Sequence, residues 1–377
     1  MVVAHSVTAL QRLLDVTALF ASDQRVQTVF TQAPAVFTAG VRPLLESLRV
    51  VVIPWQQAVE TRFDVALASG YTGLADLQAP IVTLPHGAGY NKYVTRASRE
   101  TRSAPLAVYG LSEQHLVRDG RVVPNTLVLS HEAEIDMLKE HCPVALPTAV
   151  VAGDPCFDRL APGVAQRVEY RRRLGVEDGQ ELLVVSSTWG PDSLYGASGH
   201  VLDLAVREAS ANGTAVVLLL HPNVWFGHSP WQVEAWCRPY REAGLHLVPP
   251  FADWRSHLLC ADRFIGDHGS VSLYAAALGI PQLRTEFPPE ALAPGSAMEI
   301  LHRTVPVVRP DDPLSEQFAE VVRERSPRTS AVEFITSRPG ASAAVLRTVI
   351  YGHMALDEPD GPARFDPVPA PAGCFAR

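Results

Sequence analysis

Short apolar runs, each closed by Gly, Pro, Ser or Asp, recur through the first half of the chain: RVVVIPW (49–55), DVALASGY (64–71), APIVTLPHG (79–87), PNTLVLSH (124–131) and TAVVAGDP (148–155). Runs of this length without strict alternation suit strands covered on both faces, as in parallel α/β sheets. The spacers between several of them, such as QAVETRF (57–63), are long enough for a helix or loop. At 164–176 the rhythm changes to VAQRVEYRRRLGV, which predicts a connector helix with Val164, Val168 and Leu174 on its apolar side and three consecutive arginines on the wet side. Strand-like runs then resume with ELLVVSSTWG, TAVVLLLHP, LHLVPP, DRFIGDHGS, IPQLRTE and TVPVVRP, and LDLAVREASANG, WRSHLLCA, SLYAAALG and SAMEILHR lie among them as helices. The fold expected is α/β: two Rossmann-like domains facing a central cleft, residues 1–160 and 161–350, followed by a proline-rich tail (351–377) that packs as an extended arm or moves freely.

Length fits two domains, since 377 residues exceed one ordinary core. A formal charge of -8 argues against general nucleic-acid affinity, which needs a basic face. Five scattered cysteines, without a C-x-x-C pair, fit neither a disulfide framework nor a zinc site and point to a reduced compartment, with the cytoplasm as the default. The pattern contains no signal-peptide h-region and no apolar run of transmembrane length, although peripheral membrane contact stays open.

In open α/β sheets the chemistry lies beyond the carboxyl ends of the strands, so the residues that close each apolar run become the candidates. His86 arrives where APIVTLP turns through Gly87 and Gly89, with Lys92 following. An imidazole there has a neutral fraction at pH 7 and can take a proton from a hydroxyl, while the glycines let backbone approach an anion; the plain alternative is a capping histidine in a glycine turn. His221 and Asn223 flank Pro222 at the end of a second run, where the proline leaves their side chains as the available polar groups. Asp267, His268, Gly269, Ser270 and Ser272 lie where a strand runs into an Ala- and Leu-rich helix, whose N-terminal N–H groups suit a phosphate; Ser270 as a simple N-cap is the alternative. Ser186, Ser187 and Thr188 close the first strand of the second half, and Gly153, Asp154, Pro155 and Asp158 read as a turn followed by a capped helix. Dinucleotide G-x-G-x-x-G, P-loop, G-x-S-x-G and H-E-x-x-H signatures are absent in the required contexts, so neither a metal nor a resident cofactor is expected.

Taken in order, HGAGYNK, GDPCFD, SSTWGPD, HP and IGDHGSVSLYA resemble the successive motifs of the CDP-glycerol glycerophosphotransferases, the teichoic-acid polymerase and primase type, over residues 81–281. There are departures: Lys92 falls one residue later than the family lysine, Gly190 replaces an arginine, Gly269 the first of two serines, and Tyr274 an acidic residue. The resemblance implies a GT-B fold and metal-independent transfer of a glycerophosphate-like or other phospho-linked group from a CDP-activated donor to an acceptor hydroxyl, with release of CMP. It casts His86 as general base with His268 assisting the leaving group. His221, Asn223, Gly269, Ser270, Ser272, Thr188 and Asp267 then hold the donor, and Gly87 and Lys92 lie on the acceptor or phosphate side. The His-Pro and serine elements are also similar to those of sialyl- and polysialyltransferases, which makes a cytidine donor the substrate of choice. The alternatives are a GT-B glycosyltransferase or epimerase using a UDP- or CMP-sugar, and a nucleotide-binding GT-B module without turnover.

Overall fold

The computed structural model describes residues 1–94, 107–324 and 332–373, and among these the chain divides into two compact units. The first comprises Met1–Asp158, Ala291–Ser296 and Phe334–Asp366; the second comprises Arg159–Glu290, Ala297–Glu333 and Pro367–Arg377.

In the first unit the strands are β1 (Val2–Ala4), β2 (Phe30–Gln32), β3 (Ala66–Ala68), β4 (Ile81–Thr83), a small antiparallel hairpin of β5 (Val117–Arg118) and β6 (Arg121–Val122), β7 (Thr126–Leu129) and β8 (Ala149–Val151). Six of them form one sheet in the order β2-β1-β3-β4-β7-β8, and every pairing is parallel. The chain lays β2 on one side of β1 and then returns to build outward on the other, so the winding reverses between β1 and β3. Different strands feed different cores: Val3, Ala66, Ala68 and Ile81 join Leu74 and Leu77, while Leu127 and Leu129 join Leu116, Leu138 and Cys142. The run at 49–55 contributes only a bridge from Val52 to Phe30 at the sheet edge, and Val51 and Val52 are exposed, so a hydrophobic run there does not become a strand.

Helix Ser342–Met354 belongs to this unit although it lies far along the chain. The Asp158 carboxylate accepts hydrogen bonds from Gly340 N at 2.6 Å, Ser342 N at 2.9 Å and the Ser342 hydroxyl at 2.5 Å, and thereby closes the start of that helix. Residues 355–373 carry no helix or strand; within the second unit's share Val368 is buried, and its carbonyl accepts from the Tyr170 hydroxyl.

The second unit contains β9 (Leu182–Ser187), β10 (Ala215–Leu220), β11 (Leu245–Leu247), β12 (Arg263–Gly266) and β13 (Gln282–Arg284). Their order is β11-β10-β9-β12-β13, all parallel, with the winding reversed between β9 and β12. Both β9 and β10 are buried along their whole length, which is why the sequence writes them as continuous apolar runs. Helices His200–Asn212, Pro230–Glu242, Trp254–Cys260 and Ser270–Ala277 provide the crossovers.

The connector at 164–176 is a short 3-10 turn leading into helix Arg167–Leu174, and its faces differ from the expected ones. Leu174 is buried as expected, but Val164 and Val168 are exposed and Tyr170 is buried in their place. Arg167 and Arg171 both bind the Asp262 carboxylate and the carbonyls that end helix Trp254–Cys260, so arginine on this face is a docking group, while Arg172 and Arg173 stay outside and pair with Glu169.

Candidate functional site

In the second unit the candidates gather at the point where the winding reverses. Val185 of β9 pairs with Ile265 of β12, so Ser187 and Asp267, two residues further on, end up abreast. Ser187 also pairs with Leu220 of β10, and His221 N donates to Ser187 O at 3.0 Å, which carries His221 to the same edge.

Asp267 organises this edge. It is almost fully buried, and its Oδ2 accepts from Thr188 N at 2.8 Å, the Thr188 hydroxyl at 2.9 Å, Leu194 N at 2.9 Å and the Ser187 hydroxyl at 3.4 Å. Its Oδ1 accepts from Gly269 N at 3.1 Å, and its backbone carbonyl accepts from the Ser272 hydroxyl at 2.8 Å. A buried carboxylate with donors on both oxygens satisfies the demand that charge away from water be paired. Thr188, Asp267 and Ser272, expected among the donor-binding residues, thus spend these groups on one another and hold the loop.

What that network leaves in place is the start of helix Ser270–Ala277. Gly269 occupies its N-cap position and supplies no side-chain cap; its own N–H goes to Asp267 Oδ1 and its carbonyl accepts from Ser272 N at 3.0 Å. Gly269 is required by space: a Cβ there would lie 2.5 Å from Thr188 Cγ2 and 3.3 Å from Asp267 Oδ1. His221 caps helix Pro222–His228, accepting from Asn223 N through Nδ1 at 3.0 Å, which puts the proton of the neutral ring on Nε2 and makes that nitrogen a donor. Trp189, partly exposed, lies at a ring distance of 6.5 Å from His221. His268 sits half-buried at the tip of β12 with its ring edge-on to Phe287 at 5.3 Å.

The first unit presents His86 just beyond β4. His86 is exposed. Loss of hydration disfavours the imidazolium, the Arg12 guanidinium and the Lys92 ammonium add to this, and together they move the pKa from 6.5 down to about 4. The neutral ring, which can accept a proton, is therefore the form present at pH 7. Tyr109 packs edge-on against it at 5.8 Å and touches His115 at 4.6 Å, with Tyr71 completing the cluster. Gly87 gives its carbonyl to Arg12, and Lys92 lies in a bridge to Leu292.

Glu134, from helix Ala133–His141, is buried beneath the turn that follows His86. Burial raises its pKa from 4.5 to about 7 against the pull of hydrogen bonds from Ser130, Tyr90 and His131 N–H, with Asp154 adding to the rise. Arg12, Tyr109, His115 and Glu134 do not stand out in the sequence. Arg12 is a polar position inside an amphipathic helix, and Glu134 looks like an acidic residue placed for a helix dipole. Asp154 accepts from Phe157 N at 2.7 Å and starts helix Pro155–Gly163, the capped turn that GDP predicts. Among the described residues no group of three or more His, Cys, Asp or Glu side chains is placed to hold a metal ion.

No known protein family matches the chain, and no curated protein matches it in sequence. Solved structures do. The wall teichoic acid polymerase TagF superposes with a TM-score of 0.62 at 12% identity, covering 94% of this chain and 89% of that one. The UDP-GlcNAc 2-epimerase from Methanocaldococcus jannaschii gives 0.55 at 11% identity over 93% and 99%. The corresponding enzyme from Neisseria meningitidis, bound to UDP-GlcNAc, gives 0.53 at 12% identity over 94% and 98%. At such identities the likeness is one of fold: the chain consists of two Rossmann-like α/β domains of GT-B type.

Proposed function

We propose that the protein is a GT-B enzyme that moves a phospho-linked group, glycerophosphate-like in kind, from a CDP-activated donor to an acceptor hydroxyl and releases CMP. The observation that carries this reading is the Asp267 network, which fixes the tips of β9 and β12 together at the start of helix Ser270–Ala277, the position in an open α/β sheet where a phosphate would bind.

In this reading Ser270 and the backbone at 269–270 hold the donor phosphates with His221 Nε2 and Asn223, while Thr188, Asp267 and Ser272 position them. His86 takes the acceptor proton as the acceptor oxygen bonds to the β-phosphorus. The bond from that phosphorus to the bridging oxygen breaks, and CMP departs with the electron pair, assisted by His268. Gly87 and Lys92 serve the acceptor side. Phosphoryl transfer is chiefly a matter of positioning and charge stabilisation, and fixed donors of this kind are worth on the order of 3 kcal/mol each. The partners are a nucleotide-activated small molecule and a hydroxyl acceptor, and the reaction as drawn requires neither a metal nor a resident cofactor.

The likeness to UDP-GlcNAc 2-epimerases supports a second reading, transfer or epimerisation of a nucleotide sugar on the same scaffold. The two are separated by incubating the protein with CDP-glycerol or with UDP-GlcNAc and resolving the products. CMP release that His86→Ala abolishes while CMP binding persists supports phosphoryl transfer. UDP release or epimer formation supports the second reading, and absence of product from either donor overturns the first.

A further inference from the structure

The turn at 87–90 is held by two buried ionisable side chains from different elements. Arg12, from helix Val7–Thr17, is 4% exposed and donates through NH2 to Gly87 O at 2.7 Å and through NH1 to Asp154 Oδ1 at 3.4 Å. Glu134, 6% exposed, accepts Tyr90 N at 3.1 Å on Oε1 and Ser130 N at 2.7 Å on Oε2. Gly89 lies between these anchors at φ +69, and a Cβ there would lie 2.3 Å from Glu134 Oε1. Asn91 closes the turn by donating to Ala88 O at 2.6 Å.

Stability alone does not call for this arrangement, because apolar residues of the same volume commonly replace buried ion pairs at no loss. What two ionisable side chains hydrogen-bonded to backbone do supply is a fixed backbone path on the far side of His86.

We propose that Arg12 and Glu134 are positioning residues that set the orientation of His86 by clamping the two ends of its turn. This rests on the reading of His86 as the base. Neither touches the reacting atoms; each acts through the peptide groups of Gly87 and Tyr90. Among the described residues, the charged and titratable groups around the imidazole are Arg12, Lys92 and Tyr109, with Glu134 and Asp154 behind the turn. Arg12 thus has two effects, orientation and charge, and its variants separate them.

The test is the histidine-ring 15N spectrum of the full-length protein between pH 4.5 and 8, for wild type, Arg12→Lys, Arg12→Met, Glu134→Gln and Glu134→Ala. The clamp predicts one neutral tautomer of His86 in the wild type. It predicts mixed tautomers in Arg12→Met and Glu134→Ala, and recovery in Arg12→Lys and Glu134→Gln, which keep a donor for Gly87 O and an acceptor for Tyr90 N. Loss of charge in Arg12→Met also moves the His86 titration up toward its ordinary range, whereas Arg12→Lys leaves it low. The His221 signals report that the second unit is folded and those of His115 that the first is. If Arg12→Met and Glu134→Ala fold and leave the His86 tautomer unchanged, the clamp is wrong; if they unfold, Arg12→Gln and Glu134→Asp, whose shorter side chains fall short of Gly87 O and Tyr90 N, take their place, mixed His86 tautomers in them supporting the clamp and a single wild-type tautomer in both overturning it. With CDP-glycerol as donor, a displaced base predicts a kcat loss of about a hundredfold with KM for the nucleotide unchanged. Wild-type protein that turns over no donor defeats the functional reading, and the spectra still decide the clamp.

Discussion

Asp267 and Thr188 are joined twice: one carboxylate oxygen takes both the backbone N–H of Thr188, at 2.8 Å, and its hydroxyl, at 2.9 Å. This ties the tip of β9 to the tip of β12 at the place where the second sheet reverses its winding. In open α/β sheets ligands bind beyond the strand ends at such a reversal, and this pair sets the backbone there.

Asp267→Asn retains shape but loses the charge that gathers four donors on Oδ2, and the amide has to turn a nitrogen toward either Oδ1's or Oδ2's donors. Hydrogen bonds to a charged group are worth about 1.5–3 kcal/mol each. We expect a loss of about 3 kcal/mol in chemical denaturation and a collapse of nucleotide binding beyond what that destabilisation accounts for. An unchanged CMP affinity would separate the Asp267 network from the anion site.

Gly269→Ala puts a methyl 2.5 Å from Thr188 Cγ2, and overpacking of this kind costs about 1–3 kcal/mol. Thr188→Ser removes that methyl and keeps the hydroxyl for Asp267. The double variant is expected to regain most of the melting temperature lost by Gly269→Ala; additive losses would mean that the clash lies elsewhere.

The pH profile of stability contains two opposed contributions in the first unit. Glu134, raised to about 7 from 4.5, contributes fully below pH 4.5 and loses that contribution as pH rises through 7. His115, lowered to about 4 from 6.5, contributes above pH 6.5 and loses that contribution as pH falls toward 4. Glu134→Gln removes the first term, so its melting temperature climbs more steeply than the wild type's from pH 5 to 7, by at most about 1.4 kcal/mol per pH unit for one proton. Parallel profiles would show that Glu134 ionises as an ordinary carboxylate.

Asp158→Ala removes the acceptor for Gly340 N, Ser342 N and the Ser342 hydroxyl. Amide hydrogen exchange is expected to speed up in Ser342–Met354 while β9 and β10 stay protected. Uniform acceleration across both units would contradict the assignment of that helix to the first unit.

The legible part of the fold was what repeats locally. Strands β3, β4 and β7 to β13 follow from the apolar runs, and Asp154 starting a helix follows from GDP. Strands β1 (VVA) and β2 (FTQ) were not read from the sequence, although they are no shorter than β3, β4 and β8. The connector helix was misread because Arg167 and Arg171 bury their contacts through Asp262 while Val168 remains outside, an inversion that only the tertiary partner reveals. For the site, strand ends pointed to His86, His221 and Asp267, since position at a tip is a sequence property. Arg12 and Glu134 were invisible because their role lies in which backbone groups they reach across the fold.

The account stands or falls on whether the β9 and β12 tips bind a nucleotide. Calorimetric and thermal titration of the wild type with CMP, CDP, UMP and UDP measures it directly, since a ligand that binds only the folded chain stabilises it by RT ln(1 + [L]/Kd). The account predicts stabilisation by the cytidine nucleotides, lost in Asp267→Asn and kept in His86→Ala. A melting curve that no nucleotide moves at millimolar concentration would contradict it.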